Sequence, residues 1–297
     1  MKKVAVLVST YNGEKYIASQ IDSIINQTYK NIDIYVRDDL SCDTTLKILK
    51  QYKKKKKIFL VKSYNHLGYP ESFYALMKQI KSYDYYSFCD QDDVWEIDKI
   101  EIAVNYLNRS SADVPTLFFS NYEVTDANLK HIRTSIGPNK KLDFRYSLFS
   151  SLGLGFTYVF NDTTRKLILD NRSIKNITKD VWIGMLVSAF GVVYFDKRSC
   201  AKHRRNSGSY SSLDTTFISI QKDRFRKFFK DNGFQSIRDI MEEFYMMFYN
   251  TLKNTDRKKM ELFLYGNRFQ KFFYPYRLRY DLRDELMLRI IFLLGKL

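Results

Sequence analysis

The chain is poor in cysteine, proline and glycine. Its three cysteines, Cys42, Cys89 and Cys200, lie far apart and form no Cys-x-x-Cys pair. That argues against a disulfide framework and a cysteine-built zinc site, and fits a reducing compartment. With 4 prolines and 11 glycines in 297 residues, the chain is neither collagen-like nor low-complexity. No repeat period is visible, which argues against a solenoid. No apolar run reaches the roughly 20 residues that a membrane-spanning helix needs. "MKKVAVLVSTYN" opens like a secretion signal, but its apolar stretch is short and turns polar at Ser9. It reads as a buried first strand.

What is abundant sets the remaining bounds. Hydrophobic residues make up 45% and charged residues 28%, so the chain can bury a core and is not disordered. The net charge of +16 points to acidic partners: nucleic acid, anionic lipid or phosphorylated substrates. "VAVLVST" is a continuous apolar run, as expected of a central parallel strand. "GEKYIASQIDSIINQT" has helical spacing, "NIDIYVRDD" alternates as a strand, and "CDTTLKILKQYKKKK" reads as a helix capped at Asp43 or Thr44. "IFLVKS" is a third strand, "ESFYALMKQIK" a helix and "YDYYSFCD" a fourth strand. This alternation predicts an α/β fold with a mostly parallel, doubly wound sheet flanked by helices. Ligands of such sheets bind at the carboxyl ends of the strands. Three polar clusters fall there: "STYNGE", "RDDLSCD" and "DQDD". Further on, "TLFFSNYEVTD" is a strand and turn, "LGLGFTYVFN" a glycine-punctuated loop entering a strand, "DVWIGMLVSAFG" an apolar helix, and "VVYFD" a strand. After about residue 212 the sequence becomes helical, basic and aromatic, which predicts a boundary there between a first domain over 1–212 and a C-terminal helical appendage over 213–297.

Carboxylates as close as Asp90, Asp92 and Asp93 repel one another unless water solvates them or a cation neutralises them. An Asp-x-Asp at a strand end suits magnesium or manganese, which take one or two protein carboxylates together with substrate phosphates. A solvated loop or a helix N-terminus is the structural alternative.

"VSTYNGEKYIASQIDSIINQTYKNIDIYVRDDLSCDTT", "NHLGYPESFYALM", "FCDQDDVWEIDKI" and "DVWIGMLVSAFG" together resemble the family 2 glycosyltransferases, in particular the bacterial rhamnosyltransferase-like enzymes of cell-wall and capsular polysaccharide synthesis. The resemblance runs from residue 4 to about 210. It implies a GT-A fold, a Rossmann-like nucleotide-binding sheet joined to an acceptor-binding part. It matches Ser9, Thr10, Tyr11 and Glu14 to the first nucleotide loop, and Asp38 and Asp39 to a pair of which one contacts the base. Asn65 and Gly68 match the loop that closes over the nucleoside. Asp92 would ligate Mn2+ or Mg2+, with Asp90 beside the ribose and diphosphate. Trp95, Thr157 and Trp182 would stand on the acceptor side, and Gly153 and Gly155 would let the acceptor approach the backbone. The inverting reaction needs one base, and "TKDVWIGM" makes that Asp180, preceded by Lys179 where the family usually has an acidic residue or histidine. In "AKHRRNSGS", His203 and Arg205 would reach the diphosphate.

Ordinary structural roles compete at several positions. Asp38 and Asp39 can cap a turn, Gly68 can supply a positive φ, Trp95 can anchor the core, Asp180 with Thr178 can cap a helix, and His203 to Arg205 can form a basic surface loop. In the tail, Phe225, Phe228 and Phe229 share a face beside Arg224, Lys227 and Lys230. Leu282, Leu286, Ile290, Leu293 and Leu294 form a stripe beside Arg277, Arg279, Arg283 and Arg289. Such helices fit an anionic membrane interface, or a core or homodimer contact. The expected function is metal-dependent transfer of rhamnose from dTDP-rhamnose to a lipid-linked saccharide. A UDP-hexose transferase, a basic nucleic-acid-binding protein and a non-catalytic scaffold are the alternatives. Nucleic acid is disfavoured as a partner, because the aromatics have core spacing and the acidic clusters repel phosphate. The expected location is cytoplasmic, peripheral on the inner face of the cell membrane.

Overall fold

The computed structural model describes residues 1–80, 83–138, 142–172, 179–205 and 233–297. The first half alternates β1 (Val4–Thr10), α1 (Ile17–Ile25), β2 (Ile32–Asp38), α2 (Thr45–Lys54), β3 (Phe59–Val61), α3 (Glu71–Gln79) and β4 (Tyr85–Cys89). Then come β5 (Val94–Trp95), α4 (Lys99–Leu107), β6 (Thr116–Thr125), β7 (His131–Thr134), β8 (Val159–Asn161), α5 (Asp162–Asp170), α6 (Lys179–Phe190) and β9 (Val192–Arg204). The C-terminal part holds α7 (Gly233–Phe248), α8 (Asn254–Tyr265), α9 (Arg268–Phe272) and α10 (Leu282–Leu293).

The strands form one sheet in the order β3-β2-β1-β4-β8-β6-β9-β5, with β7 paired to β6. β1 to β4 are parallel, and β8 runs antiparallel to both β4 and β6. β1 is central and covered on both faces. Val4, Ala5, Val6, Leu7 and Val8 are fully buried, which explains a continuous apolar run rather than an alternating one. Each such aliphatic side chain contributes about 1.5–3 kcal/mol on burial. The register pairs Thr10 with Asp38 and Val8 with Cys89. The three strands therefore end nearly level, and their following loops emerge side by side.

Helix α6 packs between the sheet and the C-terminal helices. Trp182, Ile183, Met185, Leu186 and Val187 are all fully buried, so the helix is apolar on every side. The C-terminal helices share that core: the Phe244 ring lies 5.7 Å from Phe144 and 5.4 Å from Trp182. They are thus an integral layer of the same hydrophobic cluster as the sheet. The expected boundary near residue 212 and the segment from Arg224 to Lys230, with Phe225, Lys227, Phe228 and Phe229, lie outside the described residues. The α10 stripe is present on the surface. Leu282, Leu286, Ile290 and Leu294 are exposed, as are Phe269, Phe273 and Tyr276 nearby. Arg289 does not flank it as a free cation. It binds Glu285 and the carbonyls of Lys271, Phe272, Tyr274 and Tyr276, tying α9 to α10. Among the described residues, no helix is long and apolar enough to cross a membrane.

Candidate active site

The loops after β1, β2, β3 and β4 are laced together by side chains. Thr10 Oγ1 and the Tyr11 N–H donate to Gln91 Oε1 at 2.7 and 2.8 Å, joining the first loop to the acidic one. Glu14 accepts from the Thr44 N–H at 2.9 Å and from its hydroxyl at 2.6 Å, joining the first loop to the start of α2. Ser9 and Ser72 share a hydroxyl contact of 2.6 Å. Asp39 is buried against Arg37 and accepts from the backbone N–H groups of Leu67 and Gly68. Burial raises its pKa, but Arg37 and those two N–H groups outweigh burial and hold the carboxyl below its ordinary value. Asp39 is therefore the clamp of the Asn65–Gly68 loop. Asp38 accepts from the Ser41 N–H and hydroxyl, closing the turn predicted as the structural alternative. Tyr11 is exposed and packs its ring against His66 at 4.4 Å. Gly68 takes φ +68°, a conformation that favours glycine. Asn65 contributes its carbonyl, which accepts from Arg37 at 2.9 Å.

The acidic loop bears the charges that β4 and β9 bring together. Asp93 is fully buried, and its Oδ1 lies 2.8 Å from His203 Nδ1. Its Oδ2 is buried without a hydrogen-bond partner among the described residues. His203 stacks on Phe156 at 5.2 Å and meets the edge of Tyr122 at 6.0 Å. With Nδ1 engaged by Asp93, the second ring nitrogen is left for another ligand. Burial lowers the His203 pKa, but Asp93, then Asp92 and Asp90, outweigh burial and raise it. Sequence reasoning left Asp93 without a role and read His203 as a diphosphate contact, with a basic surface loop as the alternative. The signal for their pairing was weak: β9 continues eight residues beyond "VVYFD", reaching Arg204 through irregular pairing with β6. Arg204 is buried and donates to the carbonyls of Asp92 and Ala127, so it supports the loop. Arg205 follows β9, beside Arg133 and Tyr122.

Asp92 is pushed up to about 7 by burial, then by Asp93 and Asp90. The unfolded chain releases this proton near 3.8 and the folded one near 7, so Asp92 removes stability as pH rises between those values. The loss is on the order of 2–4 kcal/mol. We expect the metal-free protein to melt at lower temperature at pH 7.5 than at pH 5, with the gap reduced in Asp92→Asn; scanning calorimetry across that range measures it. A divalent cation bound beside Asp92 would supply the missing positive charge. Among the described residues, no three His, Cys, Asp or Glu side chains converge on one cation point. Asp92, whose carboxyl is destabilised as an anion by burial, then by Asp93 and Asp90, is with Asp90 the pair that would hold a magnesium or manganese ion together with phosphate oxygens.

The second half of the site comes from α6. Lys179 Nζ lies 3.8 Å from Asp90 Oδ1 and 3.7 Å from Asp180 Oδ1, and its side chain is 1% exposed. The rings of Tyr69 and Phe73 lie 4.4 and 4.2 Å from the ammonium. One buried cation therefore joins the acidic loop, the Gly68 loop and the start of α6. Asp180 Oδ1 is buried without a hydrogen-bond partner among the described residues. Burial raises the Asp180 pKa, Lys179 lowers it and Asp90 raises it; the net direction is up. Gly155 is needed here: a Cβ would collide with Asp180 Oδ1 and come within 2.8 Å of Lys179 Cε. Thr178, the suggested partner in capping α6, lies outside the described residues.

The three residues expected on the acceptor side have buried side chains. Trp182 is fully buried, packs on Phe244 and donates Nε1–H to the Asn171 carbonyl at 2.6 Å. It faces the core because α6 is enclosed on all sides. Trp95 is buried beneath Lys99, whose Nζ stands 3.1 Å from its ring centroid. Thr157 is buried and donates to the Leu154 carbonyl at 2.7 Å, closing the turn before β8. Lys99 itself was missed. It is fully buried, donates to the Phe156 carbonyl at 2.7 Å, and burial pulls its pKa down to about 7. Its position was legible, since Lys99, Ala103 and Leu107 follow the buried stripe of α4.

Residues 5–166 match the family described as Glycosyl transferase family 2. The chain is 33% identical over 183 residues to the dTDP-rhamnosyl transferase RfbG of Shigella flexneri, covering 59% of this chain and 61% of that protein. It therefore spans less than two thirds of that relative's length. It is 25% identical over 217 residues to the UDP-Glc:alpha-D-GlcNAc-diphosphoundecaprenol beta-1,3-glucosyltransferase WfgD of Escherichia coli, covering 70% of this chain and 79% of that protein. Among solved structures, S. aureus TarS 1-349 in complex with UDP-GlcNAc superposes with a TM-score of 0.63 at 16% identity, covering 98% of this chain and 81% of that one. At that identity the likeness shows a shared GT-A-like fold.

Proposed function

The chain belongs to Glycosyl transferase family 2, and on that premise we propose that it transfers a sugar from a nucleotide donor to a saccharide acceptor, with inversion at the anomeric carbon. The observation that carries this reading is the single ammonium of Lys179, within 4 Å of both Asp90 and Asp180. It unites a strand-end acidic motif suited to a donor diphosphate with a buried carboxylate suited to deprotonating an acceptor.

In this reading Ser9, Thr10, Tyr11, Glu14, Asp38, Asp39, Asn65 and Gly68 shape the nucleoside cleft. Asp39 does so by holding the Gly68 loop, since its oxygens are engaged by protein donors. Asp92, with Asp90, holds Mn2+ or Mg2+. When bound, the ion offsets negative charge gathering on the leaving diphosphate. His203 Nε2, aimed by Asp93, and Arg205 bind the diphosphate from the other side. Asp180 takes the acceptor hydroxyl proton as that oxygen bonds to the anomeric carbon and the carbon–diphosphate bond breaks. The donor is dTDP-rhamnose by likeness to RfbG. A UDP-hexose is the second reading, supported by the likeness to WfgD, whose printed acceptor also motivates a lipid-linked saccharide here. The exposed α10 leucines, on a chain of net charge +16, suit docking on the anionic inner face of the cell membrane; homodimerisation through that face is the competing use. The test is a thermal-shift panel of nucleotide sugars with and without manganese. The reading expects one donor to raise the melting temperature selectively, and more with the metal present. Equal, metal-independent shifts for all donors would remove it.

A further inference from the structure

The reading above assigns no residues to the charged part of an acceptor. A cavity of about 400 Å³ lies where β6, the end of β7, the 150–154 loop and the start of α10 meet. Gly153 and Leu154 form part of its wall. Gly155, next in sequence, is the residue that abuts Asp180 and Lys179. The Tyr158 hydroxyl fixes this wall to the catalytic carboxylate's backbone, lying 3.1 Å from both the Gly153 and Asp180 carbonyl oxygens. Arg133, Arg279 and Arg283 also line the cavity. Two carboxylates also line it, Asp281 and Asp284. Asp281 is committed to the cap of α10, accepting from the N–H groups of Arg283 and Asp284 at 2.8 and 3.3 Å. Tyr280 lines the cavity too, and its hydroxyl is buried with no hydrogen-bond partner among the described residues. Such a group marks a place where a polar ligand is expected. Tyr122 connects the two sites: it lines the cavity and meets the edge of His203.

We propose that this cavity is an acceptor-side anion subsite, in which Arg133, Arg279, Arg283 and the Tyr280 hydroxyl hold a diphosphate ester at the acceptor's reducing end. Arginine suits phosphate oxygens because its planar donors bind them in pairs. The saccharide then extends past Gly153 and Leu154 toward Asp180. The ester's lipid chain leaves along α10, whose exposed Leu282 and Leu286 lie beside the cavity-lining Arg283. This inference rests on the glycosyltransferase reading, but its test is separable from it.

The probe is farnesyl diphosphate, titrated calorimetrically into the full chain below its micelle concentration, with farnesol and inorganic pyrophosphate as controls. UDP binding with manganese is measured in the same samples. We expect farnesyl diphosphate to bind and farnesol not to. Arg133→Gln and Arg283→Gln should each weaken farnesyl diphosphate binding at least tenfold while UDP binding and melting temperature stay as in the wild type. Pyrophosphate binding with the same arginine dependence supports the site as phosphate-directed. Arginine variants that bind farnesyl diphosphate normally, or full competition between farnesyl diphosphate and UDP, would overturn the subsite. Failure of UDP to bind the wild type would instead remove the underlying reading.

Discussion

Asp180→Asn is expected to lower the transfer rate by roughly 10²- to 10⁴-fold while leaving donor affinity within about twofold. The asparagine keeps the shape and loses the ability to accept a proton. The carboxylate's surroundings support this role over a purely structural one. Its Oδ1 is buried, with no hydrogen-bond partner among the described residues and the Lys179 ammonium 3.7 Å away. A cation holds it from one side, and Gly155 leaves no Cβ on the other. Donor binding by calorimetry and transfer by product analysis separate the two effects. A variant that transfers at the normal rate would remove Asp180 as the base.

Lys179→Met is expected to have the second largest effect, about a 10- to 100-fold loss of transfer at pH 7, partly recovered toward pH 9. The reasoning follows from sign. Burial raises the Asp180 pKa, and Lys179 is the main influence lowering it. Without the ammonium the carboxyl holds its proton to higher pH, so less of the basic form exists at neutrality. The acid limb of the rate profile therefore moves up, by about 1–2 pH units for the loss of one close opposite charge. Lys179→Arg retains the charge and should shift the limb less. A rate loss without movement of the acid limb would mean that Lys179 serves packing alone. The lysine stands where the family usually has an acidic residue or histidine, so this chain's dependence on a buried cation is a property to measure in its own right.

The first half of the fold was legible because its strands and helices carry strong periodic patterns. Val4–Val8 are apolar without alternation because both faces of β1 are covered, and Ile17, Ile21 and Ile24 share the buried side of α1. The convergence of the strand-end loops followed from parallel topology alone. What was not legible depended on packing partners distant in sequence. β5 is two residues long and exists only by pairing with β9. His203 is carried to Asp93 by a strand whose pairing with β6 is irregular, and no local pattern announces that. Trp182 and Trp95 looked suited to a sugar, yet their rings fill the core; an aromatic's residue type does not say which face of its element meets solvent. The resemblance left open which of Asp38 and Asp39 contacts the nucleotide base; Arg37 on the preceding strand makes Asp39 a loop clamp.

The central claim is that Asp92 and Asp90 tolerate one another because a divalent ion links them to the donor's diphosphate. The most direct measurement is calorimetric titration of UDP and dTDP, with and without manganese, into the wild type and Asp92→Asn. The account predicts that manganese tightens nucleotide diphosphate binding at least tenfold in the wild type and has no such effect in the variant. Equal manganese dependence in both proteins, or none in either, would contradict it.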